Sequence, residues 1–123
     1  LDLLDETGKC INTLPFFLET LDKADLRDNV VPIVSTSVEA SEVWSEPLAM
    51  VFIDGGHSDQ AANDDYDVWH PHIIQGGLLA IHDVFPDPKD GGRPPFNIYT
   101  KAIESGLFKE LEMIKSLALL EKL

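Results

Sequence analysis

At 123 residues, with 44% hydrophobic content, the chain has the size and apolar share of one small globular domain and is too apolar to be disordered. Its 22 acidic and 9 basic residues give a formal net charge of −13, a field that repels phosphate backbones and anionic lipid and so excludes nucleic acid and membrane as expected partners. No apolar run approaches the ~20 residues of a membrane span, no signal-peptide pattern opens the chain, and the single cysteine, Cys10, fits a reducing, cytoplasmic setting.

In chain order, Leu1-Asp2-Leu3-Leu4 reads as a remnant strand; the chain opens on Leu1 rather than Met, so an upstream segment is expected. Asn12 or Thr13 then caps a helix with Pro15 in its first turn. Leu14, Phe17, Leu18, Leu21 and Ala24 form its apolar stripe. Val30-Val31-Pro32-Ile33-Val34 reads as a strand leading into Ser35-Thr36-Ser37, and Pro32, which has no N–H, places that strand at an edge or a bulge. Ser35 and Ser37 either cap a short helix over Val38 to Trp44, stopped by Pro47, or bond a nucleobase.

A second apolar run, Leu48 to Ile53, leads into Asp54-Gly55-Gly56-His57. Ser58 caps the next helix, with Asp59 beside the N-terminal dipole and Ala62, Tyr66, Trp69 and Ile73 on the apolar face. Gln75-Gly76-Gly77 is expected to end it, and Gly77 to Ile81 is the third apolar run, leading into His82-Asp83. The Pro- and Gly-rich stretch from Val84 to Phe96 reads as a lid or binding loop, with Lys89 or Arg93 available to contact what it covers. A helix from about Asn97 to Ser105 and a hairpin, Leu107 to Lys115 and Leu117 to Lys122 joined at Ser116, complete the chain.

Continuous apolar runs alternating with helices predict an α/β fold with a doubly wound, mostly parallel sheet, whose ligands lie at the carboxyl ends of the strands. Asp54, His57, His82 and Asp83 all fall at such ends. Two carboxylates leaving neighbouring strands about 4.8 Å apart share one crevice and repel unless a cation, a proton or a basic group lies between them. Oxygen-rich sites suit Mg²⁺ or Mn²⁺, and an imidazole from His57 or His82 biases the choice toward Mn²⁺, Fe²⁺ or Zn²⁺. The alternative is that one aspartate caps a helix and both histidines pack without a ligand. Gly55-Gly56 permits either close backbone approach to a ligand or merely a tight turn. On the following helix Asp64 suits a solvated face, Asp65 can turn toward the site, and His70 and His72, flanking Pro71, are expected at the surface. No Gly-x-Ser-x-Gly elbow supports a serine hydrolase, and His82-Asp83 ends a strand-like run, unlike the pair in the all-helical His-Asp phosphohydrolases.

Val51-Phe52-Ile53-Asp54-Gly55-Gly56-His57-Ser58, Asp65, Trp69, and Gly76-Gly77 through His82-Asp83 together resemble the class I S-adenosylmethionine-dependent methyltransferases. More narrowly, they are similar to the small-molecule O-methyltransferase-like branch. The resemblance runs through most of the chain, hairpin included. It implies a Rossmann-like fold with S-adenosylmethionine at the carboxyl ends of the strands, contacted by Asp2 or Asp5 at the ribose, by Ser35 and Ser37 near the adenine, and by Asp54 and Gly55. It also implies a divalent metal, Mg²⁺ or Mn²⁺, on Asp54, His82 and Asp83, with His57 or His82 as general base toward a small-molecule hydroxyl. The family's first strand and glycine-rich turn have no counterpart before Leu1, and Asp59 stands where relatives often carry an aromatic. A partial, N-terminally truncated domain that binds the cofactor weakly when isolated is therefore expected. Two other readings stay open: a folded fragment without turnover that forms a homodimer through its broken sheet, and a metal-dependent hydroxylase or hydrolase on the same scaffold.

Overall fold

A computed structural model describes residues 11–56 and 58–123, which fall into two units, one ending at Val34 and the other Ser35–Leu123. In the first unit, helix α1 spans Leu14–Lys23, with Thr13 at its N-cap and Pro15 in the opening turn, where a missing N–H costs nothing. Lys23 pairs with Glu19 one turn earlier at 2.6 Å, and Arg27 pairs with Asp22 at 2.5 Å. Val30 to Val34 is not a strand. Pro32 contributes no donor, no other described segment pairs with the run, and Val31 and Val34 stay 82% and 78% exposed; β-propensity without a ladder partner does not make a strand. The remnant strand at Leu1 to Leu4, together with Asp2, Asp5 and Cys10, lies outside the described residues.

The second unit carries the sheet. Helix α2 (Ser37–Glu42) is a single capped turn and a half, followed by strand β1 (Leu48–Ile53), helix α3 (Asp59–Trp69) and strand β2 (Ile73–Ile81). Helix α4 (Arg93–Glu104) and a hairpin of β3 (Phe108–Ile114) and β4 (Leu117–Lys122) follow. The strand order is β1-β2-β4-β3, with β1 and β2 parallel and both other pairs antiparallel. A parallel pair needs a crossover, and α3 supplies it. The hairpin turns through Lys115-Ser116, as expected, with Lys115 at φ +55°.

β2 is central, and Leu79, Ala80 and Ile81 are buried to 1% exposure or less. Leu79 and Ile81 join Ala62 and Tyr66 of α3, Ile98 and Ala102 of α4, and Leu120 of β4 in one apolar cluster. Full burial of each large side chain contributes about 1.5–3 kcal/mol, so this cluster is what fixes α3 and α4 on the sheet. The two helices are also tied at their rims, where the Lys101 ammonium donates to Asp67 at 2.7 Å and to Asn63 at 3.0 Å.

Three boundaries differ from the sequence expectation. α3 ends at Trp69, because Pro71 breaks the α-helical ladder; a 3-10 turn over His70–His72 follows, and Ile73 already opens β2. Gln75-Gly76-Gly77 therefore lies within β2, at an irregularity where the pairing jumps from Leu48↔Ile73 to Met50↔Leu78 and Gly76 takes φ +75°. α4 begins four residues early, since Pro94 and Pro95 occupy its first turn, the one place a helix tolerates them. α2 begins at Ser37 and is capped by Thr36 in a reciprocal bond with Glu39, not by Ser35 or Ser37.

His70, expected at the surface, is partly buried. Its ring stacks on Tyr66 at 4.5 Å and meets the edge of Phe108, and its Nδ1 is buried with no hydrogen-bond partner. Burial, helped by the nearby Lys122 charge, holds its pKa below the ordinary imidazole value, although Asp67 acts in the opposite sense. Between that lowered value and the unfolded value of about 6.5, the unfolded chain binds more protons than the native one, so stability falls as pH drops through this window. Thermal melts from pH 7 to about pH 5 should show a falling Tm, and His70→Phe, which keeps the ring stack, should flatten that slope relative to wild type. An identical slope in the variant would contradict the assignment.

Candidate active site

The register Ile53↔Ile81 ends the β1–β2 ladder with both strands level, and the His82 N–H donates to the Ile53 carbonyl at 3.0 Å, extending it by one step. Asp54 therefore leaves β1 beside the point where His82 and Asp83 leave β2. His82 Nδ1 lies 3.2 Å from Asp54 Oδ1 and 3.2 Å from Asp83 Oδ1, and each of the three residues offers one potential ligand atom within 4.8 Å of the others. Successive side chains in an extended strand point to opposite faces, so His82 and Asp83 converge only because the backbone breaks alternation. It does so at Asp83, which takes φ +59°, a left-handed conformation that costs a non-glycine residue about 1 kcal/mol or more.

The residues present fit a divalent cation. Ligand atoms about 2.1 Å from one ion sit about 3 Å apart along an octahedral edge, close to both 3.2 Å separations. His82 Nδ1 is buried without a hydrogen-bond partner and lies at ion-pair distance from both carboxylates. A hollow of about 10 Å³, room for one water-sized body, has Asp54, His82 and Asp83 and the glycines at 55 and 56 on its polar side and Ile53, Ala62, Pro95 and Ile98 on its apolar side.

A second, open cleft of about 310 Å³ adjoins the hollow and shares Ile53, Asp54 and Gly55 with it. Its other walls are Ser37, Val51, Phe52, Asp65 and Trp69. Asp65 does turn inward: its Oδ1 accepts a 2.5 Å hydrogen bond from Ser37 Oγ, joining α3 to the start of α2. Gly55 makes room for this, because a Cβ there would sit 2.6 Å from Asp65 Oδ2. Gly56 likewise lets the start of α3 approach, since its Cβ would lie 2.9 Å from Ala61 Cβ. Ser58 accepts from the Ala61 N–H at 3.1 Å and so sets where α3 begins.

Of the residues singled out from sequence, Asp54, His82 and Asp83 meet at the hollow, and Ser37, Asp54 and Gly55 line the larger cleft. Ser35 does neither and lies beside Glu39, while His57 and Asp2 are outside the described residues. Arg93 is engaged inside its own loop, donating to the Phe85 and Gly91 carbonyls and covering the Phe96 ring at 4.6 Å. Phe52 and Trp69 were not singled out as cleft walls; their apolar character is equally consistent with core packing, and only the open cleft tells the two apart.

The chain matches a family described as Methyltransferase domain over residues 2–84, more than half its length, and belongs to that family. Its fold is that of class I methyltransferases. A protein assigned as a caffeoyl-CoA O-methyltransferase from Staphylococcus aureus superposes with a TM-score of 0.70 at 16% identity, over 97% of this chain and 61% of the other. A protein assigned as an rRNA methylase from Clostridium thermocellum gives 0.64 at 13% identity, over 98% and 72%. The fibrillarin pre-rRNA processing protein of Methanococcus jannaschii gives 0.54 at 21% identity, over 88% and 52%. The chain thus spans about three-fifths of the first of these structures. Among the described residues, no helix is long and apolar enough to cross a membrane.

The Gly55–Asp65–Ser37 contact predicts a specific coupling. Gly55→Ala should displace the Asp65 carboxylate, break its bond to Ser37 and destabilise the protein by about 1 kcal/mol in urea unfolding. In an Asp65→Ala background the same substitution should cost much less, because the clashing oxygen is gone. Additive costs would show that the close approach is not the source of the effect.

Proposed function

We propose that this chain forms the acceptor and metal side of an S-adenosylmethionine-dependent methyltransferase that methylates a small-molecule hydroxyl, with Mg²⁺ or Mn²⁺ held by Asp54, His82 and Asp83. The observation that carries the reading is that Asp54, His82 and Asp83 each bring one potential ligand atom within 4.8 Å of the others and together line a small hollow. Family membership implies the methyl donor. The adjoining cleft suits its nucleoside part, with Phe52 and Trp69 offering flat apolar walls and Ser37, Asp65 and Asp54 offering polar edges.

A bound methyl donor would supply the sulfonium methyl for in-line transfer to the acceptor oxygen, the S–C bond breaking as the O–C bond forms and the hydroxyl proton going to a base. A cation held by Asp54, His82 and Asp83 would supply a lowered hydroxyl pKa and orientation of the acceptor. On this reading the chain's own contribution is positional: the register Ile53↔Ile81 and the left-handed Asp83 would preset the proposed ligands, and Gly55 leaves room for the Asp65 carboxylate on the cleft wall. With His82 Nδ1 turned to the carboxylates, His57 is the proposed base, since a neutral imidazole accepts a proton near neutral pH. Two of the similar structures are named for ribosomal RNA, but the net charge of −13 opposes a polyanionic substrate and favours a small acceptor.

Isothermal titration with Mn²⁺ should detect one site in the wild type, and Asp54→Asn or Asp83→Asn should weaken it by roughly 10- to 100-fold or abolish it. Transfer of a labelled methyl group to small hydroxylated acceptors should rise with Mg²⁺ or Mn²⁺ and stop on chelation. Unaltered affinity in both variants, or transfer indifferent to chelator, would remove the cation from the mechanism.

A further inference from the structure

Asp83 owes its left-handed backbone to neighbours distant in sequence. On one side the His82 N–H is fixed to the Ile53 carbonyl at 3.0 Å; on the other, the Val84 N–H donates to the Ser116 carbonyl at the hairpin tip at 2.8 Å. Between these two pins, the Asp83 carbonyl oxygen is packed against the backbone of Gly92, where any Cβ would overlap both that oxygen and the Phe85 ring. Gly92 itself sits at φ +62°, directly before α4, and its carbonyl accepts from the Phe96 N–H at 3.0 Å. Arg93 then closes the loop by donating to the Phe85 and Gly91 carbonyls. The segment from Asp83 to Gly92 is thus a closed brace seated on the aspartate's own peptide group.

We propose that Gly92 is a positioning residue for the cation site: the absence of a side chain there lets the start of α4 press on the Asp83 peptide and hold its carboxylate beside His82 Nδ1. This rests on the metal reading given above and extends it to a residue that touches no ligand atom of the site. A side chain at position 92 must push the Asp83 peptide away, and with both flanking amides pinned the displacement falls on the Asp83 carboxylate. Gly91 provides the internal comparison. It also has a positive φ, +84°, but nothing lies within 4 Å of where its Cβ would be. At φ +84° and ψ −148° Gly91 lies in a region essentially reserved for glycine, so alanine at 91 carries more backbone strain than alanine at 92, whose αL conformation a side chain tolerates, and carries it without the overlap.

The test is Mn²⁺ affinity, read by electron paramagnetic resonance on the wild type, Gly92→Ala and Gly91→Ala, with circular dichroism melts on each. Both variants should melt lower than wild type, Gly91→Ala should bind Mn²⁺ as the wild type does, and Gly92→Ala should bind roughly 10- to 100-fold more weakly at a temperature where it is fully folded. Equal affinity in Gly92→Ala and wild type would overturn the proposal, as would an equal loss in Gly91→Ala. If Gly92→Ala does not fold, Arg93→Gln, which removes both loop bonds and adds no overlap, should show a smaller but measurable loss; undiminished affinity there overturns the proposal too. A wild type that takes up no Mn²⁺ defeats the metal reading and this inference with it, whereas Mn²⁺ binding unaffected by changes at 92 and 93 defeats this inference alone.

Discussion

The whole site depends on the parallel register of β1 and β2. Because Ile53 pairs with Ile81, the next residue on each strand emerges at the same level, and two carboxylates and an imidazole occupy a space that a single residue of slippage would disperse. That register is held from behind by burial: Ile53, Leu79 and Ile81 are anchored in the cluster with Tyr66, Ile98 and Leu120. Moving β2 by one position would turn Leu79 and Ile81 out of this cluster, at a cost of about 1.5–3 kcal/mol for each. The apolar core thus sets the arrangement of charges at its rim. The electrostatics alone would not, since two carboxylates around one hollow repel each other.

The rim is also where the backbone departs from its preferred geometry. Asp83 in a left-handed conformation and glycine at 92 are unfavourable or restrictive choices in isolation. Each is tolerated because the ladder, the hairpin tip and the start of α4 determine the conformation from three sides. The stretch read from sequence as a lid or binding loop carries a 3-10 turn over Pro88–Asp90, an Asp87 side chain that caps it, and the Arg93 bonds that close it.

Much of this was legible in the sequence, and the exceptions share a cause. Runs ending in Asp54 and in His82-Asp83 announced themselves as continuous apolar stretches closed by a polar residue, although only β2 is deeply buried and β1, at the sheet edge, leaves Met50 and Phe52 about half exposed. Ser58 as a cap and the hairpin at Ser116 rested on equally local chemistry. Val30 to Val34 failed as a strand because strand formation needs a partner, which no local pattern supplies. His70 was misplaced because its burial comes from Phe108, distant in the chain, and from a 3-10 turn that brings it back over Tyr66. Gly92 carried no local sign of its role: a glycine before two prolines reads as loop, and only the fold brings it against Asp83.

Crystals soaked in Mn²⁺ and measured for anomalous scattering test the central claim most directly. The account predicts one strong peak about 2.0–2.4 Å from Asp54 Oδ1, His82 Nδ1 and Asp83 Oδ1 together, with water filling the remaining positions. A peak bound elsewhere, or none while the three side chains hydrogen-bond to one another, would contradict it.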